Sequence, residues 1–493
     1  ILQEGGNAFD AALGALACAC VSEPVLASLG AGGYLLATSP SNDPILFDFF
    51  AQTPREKRPE DELDFESVYV DFGADTQEFH IGHGSCAVPG VVKALHEVSE
   101  SHGRLPFTEI VKPAIQRAKE GIALSPMQAS VFRVVEPILR ADPAFESLIT
   151  KAEDNALIEA GDHFCWPNVA DMLDALGNEG ARLFYEGEIA AEIVDQSQSN
   201  GGHLSMADFA KYELAIRRPL ILGHRDWTIA LNPPPSAGGA LVALMLKALA
   251  ADEPLPMERS ATRYNRLVQA MEAVNSIRKD MEGSMDVHSE SLLDPTLLAK
   301  YLEDVETAPQ VRRGTTHISV SDTIGNAVAL SVSNGEGCGR MAPFGAFMLN
   351  NMLGEEDLNP AGFHQWPTDT RLASMMSPGI AQDRTGRRIA FGSGGSNRIR
   401  TAIAQVLLNL IDGGLPLAEA IEEPRLHLEP DMLHIEGGIE PDMIQIGDLY
   451  EENHRFWPEQ SLFFGGVHLA GAQPDGSGEA AADSRRGGAP WVG

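Results

Sequence analysis

Gly314-Thr315-Thr316-His317-Ile318-Ser319-Val320 leads through Asp322 to Asn326 into Ala327-Val328-Ala329-Leu330-Ser331-Val332-Ser333, and this stretch decides the fold. Apolar Ile318 and Val320 alternate with polar neighbours, the middle is turn-like, and a second β-forming run follows. The pattern is a β-hairpin whose first strand begins at a Gly-Thr junction. Just upstream, Tyr301 to Gly314 (YLEDVETAPQVRRG) loses apolar periodicity and reads as an exposed connection. A threonine opening a strand is ordinarily just a good strand former. A threonine that becomes an N-terminus carries its own base, because an α-amino group of pKa ~7.7–8.0 takes the hydroxyl proton at neutral pH without a histidine or a metal.

Downstream of the hairpin, the apolar strand Arg388-Ile389-Ala390-Phe391 runs into Gly392-Ser393-Gly394-Gly395-Ser396-Asn397. Ile399, Ile403, Val406, Leu407, Leu410 and Ile411 then recur at helical spacing until Gly413-Gly414. Strand, glycine turn and helix N-terminus together aim backbone N–H groups at an anion. A phosphate loop is excluded, because no Lys-Ser or Lys-Thr follows the glycines. Two readings remain: a close packing turn, or an oxyanion hole, in which one lost donor costs about a hundredfold in rate.

Toward the N-terminus, Gly5-Gly6-Asn7-Ala8-Phe9-Asp10 opens a small-residue helix, Ala8 to Val21, too short for a bilayer span of ~20 apolar residues. It reads as a buried helix. Gly30-Ala31-Gly32-Gly33 turns into a strand at Tyr34-Leu35-Leu36-Ala37, and a second strand, Ile45 to Phe50, precedes a charged loop from Arg55 to Glu66. Beyond Val88-Pro89-Gly90 comes a helix from Val91 to His102, and the middle of the chain to about Lys300 is mostly helical in pattern. The chain opens at Ile1 without a methionine, inside an element, so a targeting segment can have been lost; periplasm, exterior and cytoplasm all stay open.

Among 493 residues, 36 basic against 70 acidic side chains give a net charge of −34. Such a chain repels nucleic acid and anionic membrane, and the acidity reads as solubility or adaptation to salt. Cys18, Cys20, Cys86, Cys165 and Cys338 match no zinc spacing, so neither a disulfide framework nor a structural metal is expected, and no cofactor motif appears.

The hairpin with its Gly-Thr junction resembles the processing site of the gamma-glutamyltranspeptidase family, and the likeness extends over almost the whole chain. It is carried by Gly-Gly-Asn-Ala-Phe-Asp-Ala-Ala, Val88-Pro89-Gly90, Phe184-Tyr185-Glu186-Gly187, Asn232-Pro233-Pro234-Pro235-Ser236, Leu349-Asn350-Asn351, Met376-Ser377-Pro378 and the glycine turn, in that order. The resemblance implies an α/β (α+β) fold, the N-terminal-nucleophile four-layer α/β/β/α sandwich with two antiparallel sheets between helices. It implies self-cleavage between Gly314 and Thr315 into a large subunit, 1–314, and a small catalytic subunit, 315–493, which stay associated around one core. Thr315 would be the nucleophile in self-cleavage and in acyl transfer, Ser333 the hydroxyl that orients it, and Gly395 and Ser396 the oxyanion-hole donors. The substrate would be a small gamma-glutamyl amide such as glutathione, its acyl group passing to water or an amine.

Several positions depart from the family pattern. Phe50 stands where the family has an arginine for the glutamyl α-carboxylate, and Met375 and Met352 replace two further polar contacts. Ser374 and Glu355 survive, and Asn334 would replace an asparagine that meets the amino group if the loop there is one residue shorter. Arg340 is the candidate to replace the missing charge. A short stretch between Glu355 and Arg371 leaves the site more open, with Phe363 and Trp366 either lining it or packing its loop down. His317 and His364 have no role in such a mechanism. Two alternatives follow: an amidohydrolase of glutaryl or related acyl amides, like the cephalosporin acylases, and an uncleaved, non-catalytic binding protein.

Overall fold

Alternation along the strands builds the layers. In the strand Gly32–Ser39 (β1), Leu35 and Ala37 enter one core cluster while Tyr34 and Leu36 enter another. The strand Ala327–Ser333 divides likewise, sending Val328, Leu330 and Val332 to the first cluster and Ala327 and Ala329 to the second. Side chains two apart share a face of a strand, so this sheet is covered on both sides. Burying each Leu or Val contributes about 1.5–3 kcal/mol.

The computed structural model describes residues 1–71, 76–250, 254–282, 314–359, 361–429, 432–444 and 453–493. The exposed connection expected at 301–313 lies outside the described residues. Along the chain, β1 is followed by β2 (Asn42–Phe49), β3 (Ala215–Arg217), β4 (Leu220–His224), β5 (Trp227–Leu231), β6 (Thr316–Ser321), β7 (Ala327–Ser333), β8 (Gly379–Asp383), β9 (Arg388–Gly394), β10 (Gly466–Ala472) and β11 (Gly478–Ala481). One five-stranded sheet has the order β6-β7-β1-β2-β3, and one six-stranded sheet has the order β11-β10-β9-β8-β5-β4; every pairing in both is antiparallel. Helices α1 (Ala8–Ser22), α2 (Val91–His102), α3 (Phe107–Glu120) and α4 (Pro167–Glu179) share the first core cluster. Helices α5 (Gly238–Ala250), α6 (Ala261–Glu282) and α7 (Arg398–Ile411) share the second. This is the four-layer sandwich that the resemblance implies.

Both sheets mix strands from before and after residue 314. β1 pairs with β7 from Gly32↔Ser333 to Thr38↔Ala327, and β9 and β8 pair onward through β5 to β4. Asn7 and Asp10 cap α1 reciprocally, and the Ala8 amide donates to Asp322 Oδ2 at 2.9 Å in the β6–β7 turn. The motifs that carry the resemblance are likewise tied together across the fold: Tyr185 donates to the Pro89 carbonyl at 2.9 Å, and Asn350 Nδ2 to the carbonyls of Gly30 and Ala87 at 2.8 and 2.9 Å.

The middle of the chain is mostly helical, as its pattern suggests, though not wholly so. It supplies β3, β4 and β5, and the hairpin Glu66–Asp71 with Thr76–Ile81 follows the charged loop. In β4 the period-two signal is present, with Leu220, Leu222 and His224 inward and Ile221 and Gly223 outward, but it spans too few residues to stand out beside long helices.

The two sheets approach closely where β9 crosses β6. A Cβ on Gly392 would overlap the His317 ring, and one on Gly394 would overlap the Thr315 carbonyl. His317 is buried there between Ser331 Oγ at 2.8 Å and Ser319 Oγ at 2.9 Å. Burial holds its pKa well below the ordinary value, with His468 opposing protonation as well. His468, on β10, accepts from the Asp483 amide at Nδ1 (3.2 Å), and burial lowers its pKa to about 4. Gly392→Ala is expected to lower stability by about 1–3 kcal/mol, read by denaturant unfolding. Because both histidines have folded pKa values below the unfolded 6.5, the unfolded chain binds more protons in acid. Stability is therefore expected to be full above pH ~6.5 and to fall steadily toward pH 4, with a shallower slope in His468→Asn.

Candidate active site

The β6–β7 pairing sets Thr316 opposite Val332, which brings the Gly314–Thr315 bond beside Ser333 at the end of β7. Ser333 Oγ donates to the Gly314 carbonyl at 2.8 Å and accepts from the Gly335 amide at 3.1 Å. The Gly314 amide donates to Glu336 Oε1 at 3.2 Å, and the Thr316 hydroxyl donates to Glu23. The junction is thus gripped from three sides, with Thr315 only 6% exposed.

Facing it, β9 ends at Gly394, and the chain turns through Gly395 (φ +126°) and Ser396 (φ +55°) into α7. Neither the Gly395 nor the Ser396 amide donates to another described residue. Ser396 occupies the left-handed region that favours glycine, so a serine is held there with some strain. Its hydroxyl donates to Asp357 Oδ2 at 3.5 Å.

Thr315, Ser333 and Ser396 line a cavity of about 570 Å³, together with Phe50, Glu355 and Ser374. Six of the residues singled out from sequence therefore meet in one place. Phe50 stacks on Tyr34 with ring centroids 5.5 Å apart, and Met352, Met375 and Leu358 extend the apolar wall. Ser374 accepts from the Met376 amide at 3.1 Å, and its own carbonyl accepts from Ser236 Oγ at 2.7 Å, which ties it to the Pro-Pro-Pro-Ser turn.

Asn334 and Arg340 are not brought to this cavity. Asn334 is fully buried and turns its Nδ2 to the Met348 carbonyl at 3.5 Å. Arg340 pairs with Asp64 at 3.1 Å and Glu66 at 2.7 Å, and these partners hold its pKa up against burial. Trp366 lines the cavity, whereas Phe363 packs its loop down against His80 and Phe65 at ring distances of 4.3 and 5.4 Å.

The guanidinium that does line the cavity is Arg371, which the sequence reading passed over. It donates to the Phe50 carbonyl, to the Tyr212 hydroxyl and, at 2.6 Å, to the Glu213 carbonyl, with Nε 3.6 Å from the buried Asp48. Burial works against its charge, but Tyr212 and Asp48 outweigh that and raise its pKa. A signal was present: an aspartate inside the apolar strand Phe47-Asp48-Phe49 requires a cation, and Arg371 stands three residues before Ser374. Among the described residues, no group of three or more His, Cys, Asp or Glu side chains is arranged to hold a metal, and no helix is long and apolar enough to cross a membrane.

Two antiparallel sheets between helix layers, with a threonine at the head of an edge strand, define the N-terminal-nucleophile hydrolase class of fold. The gamma-glutamyltranspeptidase family model matches residues 1–492, and the chain belongs to that family. It is 27% identical to the glutathione hydrolase proenzyme of Escherichia coli (strain K12), covering 90% of this chain and 81% of that one. It is 26% identical to the acylase ACY 1 proenzyme of Pseudomonas sp. (strain V22), covering 99% and 90%. The cephalosporin acylase structure from Bacillus halodurans shares the fold with a TM-score of 0.81 at 22% identity, covering 98% of this chain and 92% of that one. Family membership makes the chain an enzyme of amide and acyl-transfer chemistry.

Arg371→Met is expected to cost about 1–3 kcal/mol in chemical denaturation, since it takes a donor from the buried Phe50 carbonyl while Arg217, 2.7 Å from Asp48, keeps that carboxylate paired. Ser396→Gly is expected to raise stability by up to about 1 kcal/mol and keep activity, while Ser396→Val lowers both, measured by thermal melting and amide turnover.

Proposed function

We propose that this chain cleaves itself between Gly314 and Thr315 and then transfers a gamma-glutamyl or related acyl group from an amide donor to water or an amine through an acyl-Thr315 ester. The observation that carries the reading is the Ser333 hydroxyl donating to the Gly314 carbonyl at 2.8 Å, beside the threonine. That bond polarises the carbonyl that the Thr315 hydroxyl attacks. The resulting N-to-O shift breaks the Gly314–Thr315 amide, which frees the Thr315 α-amine and leaves an ester on its hydroxyl; water then hydrolyses that ester, releasing the Gly314 carboxylate and restoring the hydroxyl.

In turnover the freed amine takes the hydroxyl proton of its own residue, and Thr315 Oγ attacks the donor carbonyl. The Gly395 and Ser396 amides meet the developing oxyanion, the amine leaves with a proton, and water or another amine resolves the ester. The two products, 1–314 and 315–493, remain one body because both sheets are woven from both.

Gamma-glutamyl donors are the first reading, since the family model spans the chain and the Escherichia coli relative is named a glutathione hydrolase. Glutaryl or other acyl amides are the second. Phe50, Met352 and Met375 make the wall apolar, and Arg371 is already occupied by Phe50, Tyr212 and Glu213. The wild-type chain is expected to run as two bands on a denaturing gel and to hydrolyse gamma-glutamyl or glutaryl anilides, with the ratio of the two rates ranking the readings. Thr315→Ala is expected to stay whole and inert, and Ser333→Ala to slow processing at least tenfold. Equal processing and turnover in Thr315→Ala would remove the proposal.

A further inference from the structure

Residue 314 divides the five cysteines unequally: Cys18, Cys20, Cys86 and Cys165 precede it, and Cys338 stands alone after it. Their spacing gives them no common purpose, but folding brings two of them together. Cys86 follows the strand Thr76–Ile81 by one short turn, and Cys338 lies between Gly337 (φ +89°) and Gly339 (φ +67°), whose left-handed backbone lays the segment against that turn. The Gly82 amide donates to the Cys338 carbonyl at 2.7 Å, and the Cys338 amide donates to the Leu349 carbonyl at 2.9 Å, so hydrogen bonds fix the backbone around the pair.

Both side chains are buried in the first core cluster. Cys86 Sγ leans on the Gly82 carbonyl at 3.8 Å, and Cys338 Sγ on the Arg340 carbonyl at 3.3 Å. The two thiols also hydrogen-bond to each other, and that contact together with burial holds the Cys86 pKa well above its ordinary value. One free thiol in a core serves as a small apolar filler and needs no further explanation. Two sulfurs in contact are a different matter, because a bond between them calls for side-chain rotation rather than backbone displacement, which is the condition a bridge must meet. This pair, moreover, straddles the Gly314–Thr315 junction in sequence.

We propose that Cys86 and Cys338 form a disulfide, which joins 1–314 to 315–493 covalently once the junction is cut. The joining rests on the cleavage proposed above, whereas the bond itself does not. The step is thiol–disulfide exchange with a small external disulfide. One protein thiolate attacks it and releases a small thiol, and the second protein thiolate then attacks the mixed disulfide and releases the other. Two protein thiols are oxidised to one S–S bond, and one external S–S bond is reduced to two thiols. A buried thiol is a poor nucleophile, so the exchange proceeds while segment 335–341 is opening or not yet docked. Once docked, the finished bond is shielded from reductant.

The protein is prepared in two ways, by holding the folded enzyme in oxidised glutathione and by exporting the chain through an oxidising secretory compartment during synthesis. Free thiols are blocked with N-ethylmaleimide in denaturant, and the samples are run on denaturing gels with and without reductant. The expected result is one joined band without reductant that resolves into the two products with it, and a linked pair of peptides containing Cys86 and Cys338 in a non-reducing digest. Cys86→Ser and Cys338→Ser are each expected to abolish the joined band, while Cys18→Ser, Cys20→Ser and Cys165→Ser leave it. Two bands in both preparations whether or not reductant is present, with maleimide or glutathione on Cys86 and Cys338, would overturn the proposal. A joined band that persists in Cys86→Ser would overturn it as well. The digest reads the bond whether or not the junction is cut, so a chain that stays whole yet yields the linked peptides supports the disulfide and removes the cleavage instead.

Discussion

Everything in this molecule depends on how closely two β-sheets can stack at one end. β6 is the edge strand of its sheet, and β9 of the other sheet crosses it where Gly392 and Gly394 leave room for the His317 ring and the Thr315 carbonyl. A side chain at either glycine would push the sheets apart. With the glycines in place, the head of β6 lies against the glycine turn that leads into α7, and Ser333 comes alongside from β7. The junction and its prospective oxyanion hole come from opposite sheets, so neither is positioned without the packing of both.

The same arrangement would hold the chain together after the proposed break at residue 314. Hydrogen-bonded ladders run from β6 and β7 into β1 and β2, and from β8 and β9 into β5 and β4. Backbone pairing and two shared hydrophobic layers hold the parts, with the Asp322 cap on α1 adding a polar tie. A single peptide bond at residue 314 contributes little to that cohesion, and the Ser333 hydrogen bond on its carbonyl is the contact the proposed cleavage uses.

Much of this was legible in the sequence because the relevant signals are local and periodic. The β6–β7 hairpin, the strand into the glycine turn, and helices α1, α2 and α7 all fall where apolar periodicity placed them. The short strands β3 to β5 escaped because too few residues express the alternation. At the site, Thr315, Ser333 and the 395–396 turn were legible as candidates because each borders a regular element. Arg340 and Arg371 show the limit. Choosing between two arginines requires knowing which carboxylates each meets, and Asp64, Glu66 and Asp48 reach them over separations that only folding reveals.

The account stands on covalent chemistry at a single residue. The most direct measurement is acid quenching of the enzyme during steady turnover of an amide donor, followed by peptide mapping by mass spectrometry. The account expects a peptide whose first residue is Thr315, carrying the added mass of the acyl group. An active preparation in which the peptide spanning Gly314 and Thr315 remains intact, or in which the acyl mass sits on any other residue, would contradict it.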